Sequence, residues 1–123
     1  MTRSVLVTVI DDDESVRESL PDLIKEFGFA VQAFSSAEQF LVSDYLGRTH
    51  CVILDVAMPG MSGPDLQQEL IRRGHRMPII FITAHGDVID CPHLIEQGAQ
   101  ACLFKPFSDI ALRDALNGAL GVN

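Results

Sequence analysis

Basic residues are scarce in this chain: 9 lysines and arginines stand against 17 acids, a formal charge of −8. Nucleic acids and anionic membranes attract clustered cations, so this balance argues against both as direct partners. The one basic cluster, Arg72, Arg73, His75 and Arg76 beside Gly74, reads as cations at the C-terminal end of a helix. No apolar run approaches the roughly 20 residues of a membrane span, and Met1-Thr2-Arg3 leads into a strand-like segment without a cleavage-site pattern. A cytoplasmic protein is therefore expected. Cysteine is sparse as well. Cys51, Cys91 and Cys102 are odd in number, far apart and without a C-x-x-C, so neither a disulfide framework nor a zinc site is expected, and all three are read as reduced thiols. Cys51 and Cys102 lie in apolar runs and are read as core, and Cys91 and His93 would need distant ligands to share a metal. Low-complexity stretches, linkers and internal repeats are missing too.

What is present is one domain's worth of chain. At 123 residues, with 47% hydrophobic and 21% charged residues, the composition is that of a packed globular core. Short apolar runs alternate with helical patterns. Residues 5–10 form a near-continuous apolar run, the mark of a strand buried on both faces. Ser15 with Glu18 then suggests a capping box, and Val16, Leu20, Leu23, Ile24 and Phe27 share a helix face that Gly28 ends. Residues 29–34 alternate as a second strand, and Ser35 or Ser36 caps a helix with Ala37, Phe40 and Leu41. A third buried run, 51–54, is followed by the turn Met58-Pro59-Gly60-Met61-Ser62-Gly63 and a helix begun at Pro64, with Leu66, Leu70 and Ile71 inward. Strands at 79–82 and 101–104 and a last helix at 110–120 complete the series. Five strands alternating with helices predict an α/β fold, a parallel sheet covered by helices on both faces. In such sheets ligands bind beyond the carboxyl ends of the strands, where strand order reverses.

Those ends carry Asp11-Asp12-Asp13, Asp55, Thr83 and Lys105. Each has an ordinary reading alone: an acid capping a helix, a hydroxyl suited to a strand, an ammonium reaching water. Together they gather acids, a hydroxyl and a cation on one sheet edge. Carboxylates about 5 Å apart repel by roughly 3 kcal/mol at an effective dielectric of 20, so crowded acids take up protons or bind a cation. A hard divalent ion with oxygen ligands fits, Mg²⁺ above all, and such a site suits phosphoryl chemistry with a carboxylate nucleophile.

Ile10-Asp11-Asp12-Asp13, Ile53-Leu54-Asp55 with Met58-Pro59 and Gly63, Phe81-Ile82-Thr83-Ala84, and Lys105-Pro106-Phe107 are, in order and spacing, similar to the receiver domain of bacterial two-component response regulators. The segment 82–88, with Ser35-Ser36-Ala37-Glu38, resembles the FixJ-type branch. The resemblance implies a flavodoxin-like (CheY-like) sheet of order 2-1-3-4-5 and a single receiver domain over 1–123. It implies that Asp55 accepts a phosphoryl group from a histidine kinase, and that the protein is a switch rather than an enzyme. Asp12 and Asp55 would hold Mg²⁺ by side chain, Asp11 through water and Ala57 by its backbone carbonyl. Thr83 and Lys105 would contact the phosphoryl oxygens, and Lys105-Pro106 would be a cis bond. Asp13 and Glu14 match no ligand position and are read as acids favourable at a helix N-terminus. The fourth helix, fifth strand and fifth helix would form the face that dimerises on phosphorylation. The resemblance also implies a C-terminal DNA-binding output domain outside this chain, a stand-alone receiver being the alternative.

The sequence departs from the family at two places. Cys102 stands where receivers usually carry a relay aromatic, and Phe104 falls on the opposite face by strand alternation, next to Lys105. Pro92 confines the fourth helix to a start near Cys91 and an end near Gln97, leaving a long loop at 84–90 that is expected, with this short helix, to read phosphorylation. Along the last helix Leu112, Leu116 and Leu120 form one line and Ala111, Ala115 and Ala119 another, the second either packing closely or meeting a partner. Other readings remain open: a binding module that never turns over phosphate, or a hydrolase resembling the haloacid dehalogenases with Asp11 as nucleophile.

Overall fold

A computed structural model describes residues 5–84 and 91–121. They alternate strand and helix throughout: β1(Leu6–Ile10), α1(Glu14–Glu26), β2(Ala30–Phe34), α2(Ala37–Leu41), β3(Cys51–Asp55), α3(Gly63–Arg72), β4(Ile79–Ala84), α4(Cys91–Glu96), β5(Ala101–Lys105) and α5(Asp109–Leu120). All four pairings are parallel and the sheet order is β2-β1-β3-β4-β5, as the resemblance implied. Strand order reverses at β1, between β2 and β3, so the crevice for chemistry lies beyond the carboxyl ends of β1 and β3.

The apolar runs are apolar because the central strands have no solvent side. Every residue of β1 and β3 is buried. One face packs Ile10, Leu54 and Phe81 under Phe40, Leu66, Leu70 and Leu94 of α2, α3 and α4. The other packs Val7, Val9, Ile53 and Ile82 under Leu20 and Ile24 of α1 and Leu112 and Leu116 of α5. Ala115, Ala119 and Leu120 join this second cluster, so the alanine line contributes to packing on the sheet.

Local details correct several expectations. Asp13, not Ser15, caps α1: its carboxylate accepts from the Ser15 backbone N–H and hydroxyl at 2.9 and 2.8 Å. Of the two candidate serines, Ser36 caps α2. Ser62 and Asp65 form a capping box that starts α3 just before Pro64. Ile71 is 52% exposed, whereas Gly63, Leu66, Gln67 and Leu70 are the buried residues of α3. Arg72 and Arg73 close back onto Glu69 at the end of α3, as their helix-end position suggested. The fourth helix starts and stops where Pro92 and Gly98 placed it. Most of the loop at 84–90 lies outside the described residues, including His85.

The cysteines are corrected outright. Cys51 is a buried free thiol, as read, but Cys91 and Cys102 are joined in a disulfide. The crossover from β4 through α4 to β5 brings their Cα atoms to 6.0 Å. Neither is therefore a reduced thiol here, and Cys102 is half-buried rather than core.

Candidate functional site

β1 delivers Asp11 directly from its last buried residue, and Asp11 is itself fully buried, while Asp12 beside it is exposed. β3 ends on Asp55, which is 6% exposed. One carboxylate oxygen from each of Asp11, Asp12 and Asp55 lies within 4.8 Å of the others. β5 ends on Lys105, whose Nζ is 2.9 Å from Asp11 Oδ2 and 3.8 Å from Asp55 Oδ1. The Lys105–Pro106 bond is cis. β4 brings the fully buried Thr83 to the same edge, where Asp55 is in register with Ile82. Asp11, Asp12, Asp55 and Lys105, read from separated motifs, are thus one cluster, with Thr83 at the end of the strand beside Asp55.

Its electrostatics follow from crowding. Charges this close repel by at least roughly 3 kcal/mol per pair at an effective dielectric of 20. Burial first, and the Asp11 charge second, push the Asp55 carboxyl up to about 7; the Lys105 ammonium opposes this without cancelling it. Burial alone would lower Lys105, but its hydrogen bond and charge interaction with Asp11 hold it above the ordinary lysine value. Asp11 is the satisfied member. Its Oδ1 accepts from the Asp13 N–H at 2.9 Å and its Oδ2 from Lys105. Arg17 donates to the Asp11 backbone carbonyl at 2.9 Å, tying α1 to the same turn. An edge of three oxygen donors carrying more negative charge than one ammonium balances fits a hard divalent cation.

The loop after Asp55 is fixed by close backbone packing. Val56 N–H donates to Ile82 carbonyl at 3.1 Å, and Gly63 N–H to Val56 carbonyl at 2.9 Å. A Cβ on Gly63 would lie 2.4 Å from the Asp55 carbonyl oxygen and 3.0 Å from Phe81, so only glycine lets α3 begin this near the strand end. Glu38 of α2 accepts from Met61 N–H at 3.0 Å across the turn. Ala57 is exposed beside Asp55 in that loop, and Glu14 is exposed in the first turn of α1.

In the unphosphorylated chain Lys105 is engaged by Asp11, a pairing that the sequence did not reveal. One feature was misjudged from sequence. Phe104 shares the face of Cys102, two residues back, and is in register with Thr83. It is 46% exposed, an aromatic beside Thr83 that counting two residues onward from Cys102 would have found.

Comparison with known proteins agrees with this arrangement. The family model described as response regulator receiver domain matches residues 7–117. Nodulation protein W of Bradyrhizobium diazoefficiens is 45% identical over 114 residues, covering 93% of this chain and 50% of that protein. Transcriptional regulatory protein FixJ of Azorhizobium caulinodans is 43% identical over 121 residues, covering 98% and 57%. A crystal structure of FixJ-N matches with a TM-score of 0.86 at 34% identity, covering 98% of this chain and 96% of that one. The chain spans about half the length of the curated relatives it matches. The sheet order, the shared strand-end cluster and a family match running from β1 into α5 lead to one assignment: this chain belongs to the receiver domains of two-component response regulators.

Proposed function

We propose that Asp55 is the phosphoacceptor, that a histidine kinase supplies the phosphoryl group, and that the chain works in the cytoplasm as one receiver domain regulating an output domain. The observation that carries this is Asp55 itself, a buried carboxylate held up to about 7 at the sheet's switch point, with one oxygen facing Lys105 and the others of its cluster facing a common centre. Deprotonated, its oxygen attacks phosphorus in line, the bond to the donor imidazole breaks, and an aspartyl phosphate forms. Asp12 and Asp55 are the side chains that would hold Mg²⁺, with Asp11 through water and the Ala57 carbonyl completing the set. When bound, the ion neutralises charge developing on the phosphoryl oxygens. Lys105 stands between Asp11 and Asp55, placed to accept a share of the new phosphoryl charge, and Thr83 supplies a hydroxyl at the end of the neighbouring strand. The phosphorylated domain would then act through α4, β5 and α5, by pairing with a second copy.

The haloacid-dehalogenase reading loses ground on geometry, since both oxygens of Asp11 are already engaged. Incubation with acetyl phosphate and Mg²⁺, followed by peptide mapping, separates the alternatives. Label on Asp55, abolished by Asp55→Asn, is the expected result. Label on Asp11, or none from any donor, would refute the proposal.

A further inference from the structure

We propose that Cys91 and Cys102 are a redox modification site, a reversible covalent clamp between α4 and β5 that sets how far this region responds to phosphorylation. The second half of that statement rests on Asp55 being the phosphoacceptor.

The placement carries the inference. Cys91 is the first residue of α4 and Cys102 the second of β5, with Cα atoms 6.0 Å apart, within the range native disulfides use. Their bond closes a ring containing all of α4. That helix has six residues, too few to hold itself, and a single buried side chain, Leu94. Toward its far end Ala99 N–H donates to Leu94 carbonyl at 3.0 Å and Gln100 N–H to Ile79 carbonyl at 2.8 Å. At its start Cys91 ties the helix covalently to β5. Cys102 is in register with Phe81 and Phe104 with Thr83, so the clamp is fastened beside the strand end that meets the acidic cluster. Exposed Ile95 and Phe104 flank it. Both bonded cysteines are half-buried, within reach of a small thiol, whereas Cys51 is fully buried. In a reducing compartment such a bond is transient and regulated.

The reagent class is a low-molecular-weight thiol and its disulfide, such as glutathione. To close the clamp, one cysteine thiolate attacks the small disulfide and expels one small thiolate; the second cysteine then attacks the mixed disulfide and expels the other. The two cysteines lose two electrons and two protons, and the small disulfide becomes two thiols. Excess small thiol reverses both steps.

The test equilibrates the chain with glutathione buffers of graded redox ratio. Native iodoacetamide alkylation and mass measurement should find Cys91 and Cys102 both modified in the reduced chain and neither in the oxidised one, with Cys51 reacting only after unfolding. Each form, and Cys91→Ser, is then treated with acetyl phosphate and Mg²⁺, and amide exchange over 91–105 is followed. Asp55 should label in all three. Exchange in α4 should change by about tenfold on labelling in the reduced chain and in Cys91→Ser, and by less than about twofold in the oxidised chain. Equal changes in oxidised and reduced chains, or failure to pair at any ratio, would overturn the clamp. If Asp55 labels in no form, the phosphoacceptor reading fails alone. Exchange without label then decides the clamp: slower α4 exchange in the oxidised chain supports it, and equal exchange refutes it.

Discussion

Replacing Asp55 by asparagine should stabilise the metal-free domain at pH 8. In the folded chain the Asp55 carboxyl sits at about 7, against an ordinary value of 3.8, because it is buried beside Asp11. Between those values the folded state keeps a proton the unfolded state has lost, so this group's contribution to stability falls as pH rises from about 4 to 7 and its cost is complete above that. Three units at 1.36 kcal/mol each set a ceiling of about 4 kcal/mol; water entering an open edge and the nearby Lys105 ammonium reduce the expected gain to about 1–3 kcal/mol. Asparagine keeps the shape and removes the charge. Urea melts of both proteins with a chelator at pH 5 and pH 8 measure the difference. The variant should gain less than half as much at pH 5 as at pH 8. With millimolar Mg²⁺ the gap should close, since a cation that binds only the folded wild-type site stabilises it by mass action. An equal stability gain at both pH values, or none at pH 8, would refute the charge argument.

Lys105→Ala should destabilise the resting domain by about 1.5–3 kcal/mol in urea melts, because fully buried Asp11 loses its cation. Added Mg²⁺ should restore much of that loss, and a loss confined to the phosphorylated state would show that the Asp11 pairing contributes nothing. Gly63→Ala should cost about 1–3 kcal/mol and slow acetyl phosphate labelling, since the added Cβ meets the Asp55 carbonyl oxygen at 2.4 Å. Unchanged stability would mean α3 shifts freely. Leu94→Ala should raise amide exchange in α4 selectively while leaving labelling of Asp55 intact, as it removes the one buried side chain of that helix; uniform exchange across the domain would contradict this.

The sheet and most of the site were legible because their signals are local. A buried parallel strand must be apolar along its length, so β1, β3 and β4 announce themselves, and the polar residue ending each run marks the edge where chemistry collects. Pro92 and Gly98 bounded α4 by backbone chemistry alone. What sequence did not reveal depends on which side chains meet across distance. Lys105 and Asp11 pair through the closure of the whole sheet, and Cys91 finds Cys102 through a crossover whose geometry no spacing rule encodes. Asp13 outcompeted Ser15 as the cap because it lies one residue ahead of the helix and accepts two bonds, a choice of start point that sequence pattern fixes only to within a residue or so.

The Lys105–Asp11 ion pair joins residues 94 positions apart, the first strand to the last. As the chain leaves a ribosome, Asp11, Asp12 and Asp55 emerge long before the cation that offsets them. Until β5 docks, those acids lack the Lys105 ammonium and must meet their mutual repulsion by taking up a proton or a cation. A product truncated before Lys105 would hold the acids without their counter-ion.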